Sequence, residues 1–141
     1  MIIDFDKIKE TKLDNFKGGE KYIAAKMFVD NNNKIMFGYI IPGASIGLHT
    51  HTESSEIVYI LKGKATIIYD NCEEIVTQGQ IHYCPEGHSH ALFNKSNENI
   101  EYLAIVPNHI KNENKYGRTS DVADTSLTLH QSVLTSFLWR N

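Results

Sequence analysis

Short runs of β-branched and aromatic residues follow one another along the first 107 positions, and no long 3.6-residue periodicity interrupts them before residue 120. Tyr22–Val29 and residues 35–41 flank the turn-forming run Asp30-Asn31-Asn32-Asn33, and Pro42-Gly43 closes the second of them. Further runs occupy 57–61, 65–69, 81–84, 91–93 and 100–106. Between them stand Lys62-Gly63, Asp70-Asn71, Gln78-Gly79, Pro85-Glu86-Gly87 and the polar stretch 94–99. Regular short strands with turns between them predict an all-β sandwich or barrel. In Glu56-Ile57-Val58-Tyr59-Ile60-Leu61 both parities are apolar after the glutamate. A strand of that kind needs cover on both faces, from a facing sheet, another subunit or both, which supports a homodimer.

Composition narrows the partners. The 141 residues suit one domain with a short appendage, and a hydrophobic fraction of 41% can fill a core without staples. Residues 1–110 carry 10 Lys and 14 Asp+Glu, and the only arginines are Arg118 and Arg140. A body of that sign repels phosphate backbones, so no nucleic-acid partner is expected. No apolar run reaches the length of a membrane span, and residues 1–10 alternate acids with lysines instead of forming a signal core, so no membrane partner is expected either. Cys72 and Cys84 form no CxxC pair; two free thiols in a reducing cytoplasm are the economical reading.

The barrel is expected over residues 1–110, with a linker and tail over 111–141. Within the tail Leu127, His130, Leu134 and Leu138 lie near helical spacing, though the abundance of Ser and Thr weakens that pattern. A short C-terminal helix packed on the barrel or on a partner subunit is one reading. A tail foreign to the natural domain is the other.

Of seven histidines, His49 and His51 stand two apart, so on a strand both imidazoles face one side. Neutral imidazole is the commonest protein metal ligand. Glu56 lies five residues beyond His51, the wrong parity for a continuous strand, but Thr52-Glu53-Ser54-Ser55 reads as a turn that can return its carboxylate to the same side. Glu53 keeps the histidines' parity and is the alternative. His90, a further 34 residues beyond Glu56, would complete the set.

Residues 43–63 read GASIGLHTHTESSEIVYILKG and fit the pattern G-x5-H-x-H-x3,4-E-x6-G without a departure. Residues 79–94 read GQIHYCPEGHSHALFN and fit G-x5-P-x-G-x2-H-x3-N equally well. These are the two cupin motifs, in order, and the chain resembles the small single-domain microbial cupins over about residues 20–107. The resemblance implies a double-stranded β-helix, the small jelly-roll barrel. It also implies one divalent transition metal bound inside by His49, His51, Glu56 and His90, which sets Glu53 aside.

Three imidazoles and a carboxylate suit Fe, Mn, Co, Ni or Zn without choosing among them. Four ligands on a six-coordinate ion leave two positions open, and cupins use such sites for dioxygenation, isomerisation, decarboxylation and lyase chemistry. A small metal-dependent enzyme acting on a small organic molecule is therefore one expectation. A non-catalytic binding or sensory module is the other, although neither residues 1–21 nor the tail has the length of a helix-turn-helix domain. No arginine before residue 118 offers a bidentate clamp, which counts against sugar phosphates, though a lysine could substitute. Around the metal, His82 is a candidate for orienting a ligand and His88 for the cavity mouth. Tyr39 and Tyr102 could place hydroxyls near the ion, and Lys26 could reach into the barrel. For each of these a packing or solvated role is the simpler alternative.

Overall fold

The computed structural model describes residues 1–109; the linker, the tail and the helix expected within it lie outside the described residues. The body is built from β1 (Thr11–Asp14), β2 (Tyr22–Val29), β3 (Asn33–Ile40), β4 (Ser45–Thr50) and β5 (Glu56–Lys62). β6 (Lys64–Tyr69), β7 (Cys72–Thr77), β8 (Ile81–Cys84), β9 (Ser89–Phe93) and β10 (Ile100–Pro107) follow. They form two antiparallel sheets, one in the order β1-β2-β3-β10-β5-β8 and the other β4-β9-β6-β7. The only helical turns among the described residues are two of 3-10 type, Phe5–Lys7 and Phe16–Gly18. The all-β jelly-roll expected from the sequence is the fold observed.

Local chemistry places the turns. The Asp30 carboxylate accepts from the backbone N–H groups of Asn32 (2.9 Å) and Asn33 (2.7 Å), turning β2 into β3. Asp70 and Asn71 both take positive φ, 44° and 69°, which twists the two-residue link of β6 and β7 to match its strands.

The core lies between the sheets. Ile23, Ile40, Val58, Ile60, Ile67 and Leu92 are all nearly or wholly inaccessible to solvent, each contributing about 1.5–3 kcal/mol by its burial. On the larger sheet the inward positions are fixed by register: β10 places Tyr102 opposite Gly38 on β3 and Ile60 on β5, and Ala104 opposite Met36 and Val58. One step further along, the same inward row holds Lys34, Val106 and Glu56. The outward parity of β5 is half-buried at Ile57, Tyr59 and Leu61. Cys84 points inward and is fully buried; burial, with the charges of Glu56 and Asp70, pushes its thiol up to about 12, whereas Cys72 is exposed.

Candidate metal centre

β4 brings His49 to the barrel interior, and β9 pairs with it so that His49 stands directly opposite His90. A bulge between Ile46 and His49 re-aims the strand end. His51 follows just beyond β4, where its backbone N–H donates to the His88 carbonyl (3.0 Å) and its carbonyl accepts from Gly87 (2.6 Å). Residues 52–55 turn the chain back, and Glu56 opens β5 with its side chain inward.

The four side chains converge. The Nε2 atoms of His49 and His51 each lie 3.1 Å from Nε2 of His90. The Glu56 Oε2 atom is 2.8 Å from His90, 3.1 Å from His51 and 3.6 Å from His49. Donors about 2.1 Å from a common ion stand roughly 3.0 Å apart at adjacent octahedral positions and roughly 3.4 Å apart in a tetrahedron. The observed spacing fits a metal ion, and the four groups could hold one.

The outer ends of the rings support this orientation. His49 Nδ1 donates to the Gly47 carbonyl at 2.8 Å, which leaves the lone pair on Nε2. His51 Nδ1 lies 2.9 Å from the Ser54 hydroxyl. On His90 the chain is longer: His82 Nδ1 donates to the Glu74 carboxylate at 3.2 Å, so His82 Nε2 accepts from His90 Nδ1 at 3.0 Å. Glu74 thereby sets two tautomers in series, and His90 also presents its Nε2 lone pair to the centre. Burial pushes the Glu56 carboxyl up, but the three imidazoles that crowd its Oε2 outweigh it and hold the group well below the usual carboxylate range. Burial lowers the pKa of His90 and of His82. An ionised carboxylate beside neutral imidazoles is the protonation state a metal requires.

Of the outlying candidates, His82 stacks on His90 at 5.2 Å between ring centroids. His88 stands at the rim, against the Asp70 carboxylate, with the Tyr69 hydroxyl 3.2 Å away. Tyr69 in turn packs edge-on against His82. Tyr102 is buried inside the barrel, its hydroxyl without a hydrogen-bond partner. Tyr39 and Lys26 do not join the centre. Gly38 and Ala25 take the inward positions beside them, so the Tyr39 hydroxyl donates to Glu10 at 3.0 Å on the outer face, and Lys26 pairs with outward Phe37.

Two lysines near the centre escaped the sequence reading. Lys34 is inward on β3 and only 9% exposed, and Lys17 is half-buried in the turn that packs on β4. Alternation could not reveal Lys34, because both parities of residues 35–40 are apolar or glycine apart from Tyr39.

Comparison with known proteins agrees with this architecture. The family model described as a cupin domain matches residues 36–106, half of the chain. An oxalate-binding protein of Thermotoga maritima is 27% identical over 113 residues, spanning 75% of this chain and 93% of its own. Among solved structures, a predicted oxalate decarboxylase of Thermotoga maritima superposes with a TM-score of 0.72 at 24% identity, covering 77% of this chain and 99% of the other. A sugar phosphate isomerase of Silicibacter pomeroyi gives a TM-score of 0.64 at 18% identity, covering 76% and 75%. At these identities the two structures establish the fold.

Proposed function

The chain belongs to the cupin family, and on that premise we propose that His49, His51, Glu56 and His90 hold one divalent transition metal in a small enzyme of the oxygenase, isomerase or lyase class. The observation that carries the proposal is the convergence of three Nε2 atoms and one carboxylate oxygen at the spacing of adjacent metal ligands. Fe, Mn, Co, Ni or Zn fits the donor set. Such an ion, when bound, supplies Lewis acidity and open positions for an organic ligand. The chain's own contribution is to hold the imidazoles in the correct tautomer, keep Glu56 ionised and enclose the ligand in an apolar barrel.

A second reading, a binding protein without turnover, is favoured by the oxalate-binding relative. Elemental analysis of protein purified without added metal, followed by a screen of small organic acids with loaded and stripped protein, separates the two. About one transition-metal ion per chain and turnover confined to the loaded form are expected for the enzyme. Saturable binding with no product in either form would decide for the binding protein, and failure to take up any added metal would overturn the enzyme reading and leave the binding protein.

We also propose that the protein is a cytoplasmic homodimer. Its two free thiols support a reducing compartment. The outer face of the six-stranded sheet supports the dimer: Ile81 and Tyr83 are 60% and 54% exposed, beside half-buried Ile57 and Tyr59. Light scattering is expected to give twice the 16.0 kDa chain mass, falling to one chain mass in an Ile81→Lys, Tyr83→Lys double variant. A monomeric wild type would refute the pairing.

A further inference from the structure

We propose that His82 Nε2, Cys84 Sγ and His90 Nδ1 form a second metal site, behind the centre described above, and that this site takes one soft monovalent ion, Cu(I). It shares only His90 with that centre and uses the other nitrogen of the ring.

Strand β8 supplies two of the three donors. His82 and Cys84 stand two apart on it and are both buried, whereas Ile81 and Tyr83 face outward and are exposed. Pairing with β5 sets Cys84 opposite Glu56 and His82 opposite Val58. His90 comes from β9 in the other sheet, with its Nδ1 3.0 Å from His82 Nε2. The three donor atoms all lie within 4.8 Å of one another, and none of the three residues is more than 3% exposed. Bonds of about 2.0 Å to nitrogen and about 2.3 Å to sulfur place trigonal donors roughly 3.5–3.7 Å apart. The two rings need to part by only about 0.5 Å from their hydrogen-bonded spacing to admit an ion between them.

The proton inventory also fits. Glu74 keeps the His82 proton on Nδ1, so His82 Nε2 already turns its lone pair toward the site. His90 Nδ1 carries the proton that an ion would replace. Glu56 Oε2 lies 2.8 Å from the opposite nitrogen, Nε2, and accepts from it when the ring adopts its other tautomer. In metal-free protein the ion takes Nδ1 as the His90 proton passes to Nε2, and the Cys84 thiol releases its proton to solvent.

Softness, donor number and charge select the ion. A thiolate with imidazoles suits Cu(I) or Zn(II). Zinc almost always takes four donors, and this group offers three among the described residues. Cu(I) with one thiolate is neutral, whereas a divalent ion leaves an uncompensated charge in a place water does not reach. Burial disfavours a free thiolate at Cys84, and a bound cation removes that penalty.

The test is anaerobic titration of full-length, metal-stripped protein with Cu(I) against a chromogenic Cu(I) chelator, followed by X-ray absorption at the copper edge. Wild type is expected to hold about one ion per chain, with one sulfur and two nitrogen neighbours. Cys84→Ser and Cys84→Ala should weaken Cu(I) by more than about 100-fold and lose the sulfur signal, with Mn(II) uptake and melting temperature kept as checks on the fold. Cys72→Ser, which removes the exposed thiol, and His51→Ala should both retain the ion. Copper without a sulfur neighbour in wild type, or copper bound as tightly in both Cys84 variants, overturns the proposal. So does its loss in Cys72→Ser or in His51→Ala, which would place the ion at the surface or in the first centre. A wild type that takes up no Cu(I) overturns it outright. Failure of wild type to bind Mn(II) while it still binds Cu(I) overturns the first centre alone.

Discussion

Replacing His51 with alanine is expected to strip the protein of metal while leaving the barrel folded. His51 is 2% exposed and supplies one of four donors, yet it lies past the end of β4 and outside the apolar core. Its loss leaves Glu56 and His90 in contact but opens the set to three, and affinity should fall by more than the roughly 10–100-fold typical of losing an outlying partner. Added metal should stabilise wild type by about 2.7 kcal/mol at a concentration a hundred times Kd, a rise of several degrees in Tm, and should leave the variant's Tm unmoved. Glu74→Gln provides the graded comparison. It removes the carboxylate that sets His82 and, through it, His90, so occupancy should weaken by about 10–100-fold without being abolished. Elemental content and the metal-dependent Tm shift read both variants. Full occupancy and a normal shift in His51→Ala would mean that the ligand assignment is wrong.

Gly47→Ala is expected to damage stability and metal binding together. A β-carbon at Gly47 would lie 2.1 Å from the Lys17 carbonyl oxygen and 2.8 Å from the Gly19 nitrogen. Gly19 makes the reciprocal approach, its own β-carbon falling 2.1 Å from the Ser45 oxygen. All of these neighbours are backbone, so β4 and the 15–19 turn must separate. Overpacking of this kind costs about 1–3 kcal/mol or more. Because the Gly47 carbonyl accepts from His49 Nδ1, the shift should reach the metal centre as well. Gly18→Ala is the control, since nothing lies within 4 Å of its β-carbon and only its φ of +77° resists the change. That strain costs about 1 kcal/mol and should leave metal content intact. Equal effects of the two substitutions on metal content would show that the close approach at Gly47 does not hold His49.

Several strands were legible because their chemistry is local. Tyr22–Val29 and Ile81–Cys84 are read at their observed bounds, and the runs within β3, β5, β6 and β10 differ only at their ends. β7 was not legible: its residues from Cys72 to Thr77 are exposed except Val76, so it carries no alternation and is strand only because Lys64–Tyr69 lies beside it. β1 is exposed in the same way and held by β2. The turn at 52–55 was readable from its residue types, and with it the return of Glu56 to the histidines' side.

By itself the sequence determined the strand-and-turn rhythm, the two spaced motifs and thereby the family and its candidate ligand set, because periodicity, turn residues and motif spacing are properties of neighbours along the chain. Tertiary structure alone decided which face of each strand is inside. It turned Tyr39 and Lys26 outward, set Glu74 behind His82, and turned Lys34 inward opposite Val106. Register between distant strands settles these positions, and a one-residue slip would reverse them, so a chain apolar on both parities does not disclose them until it has folded.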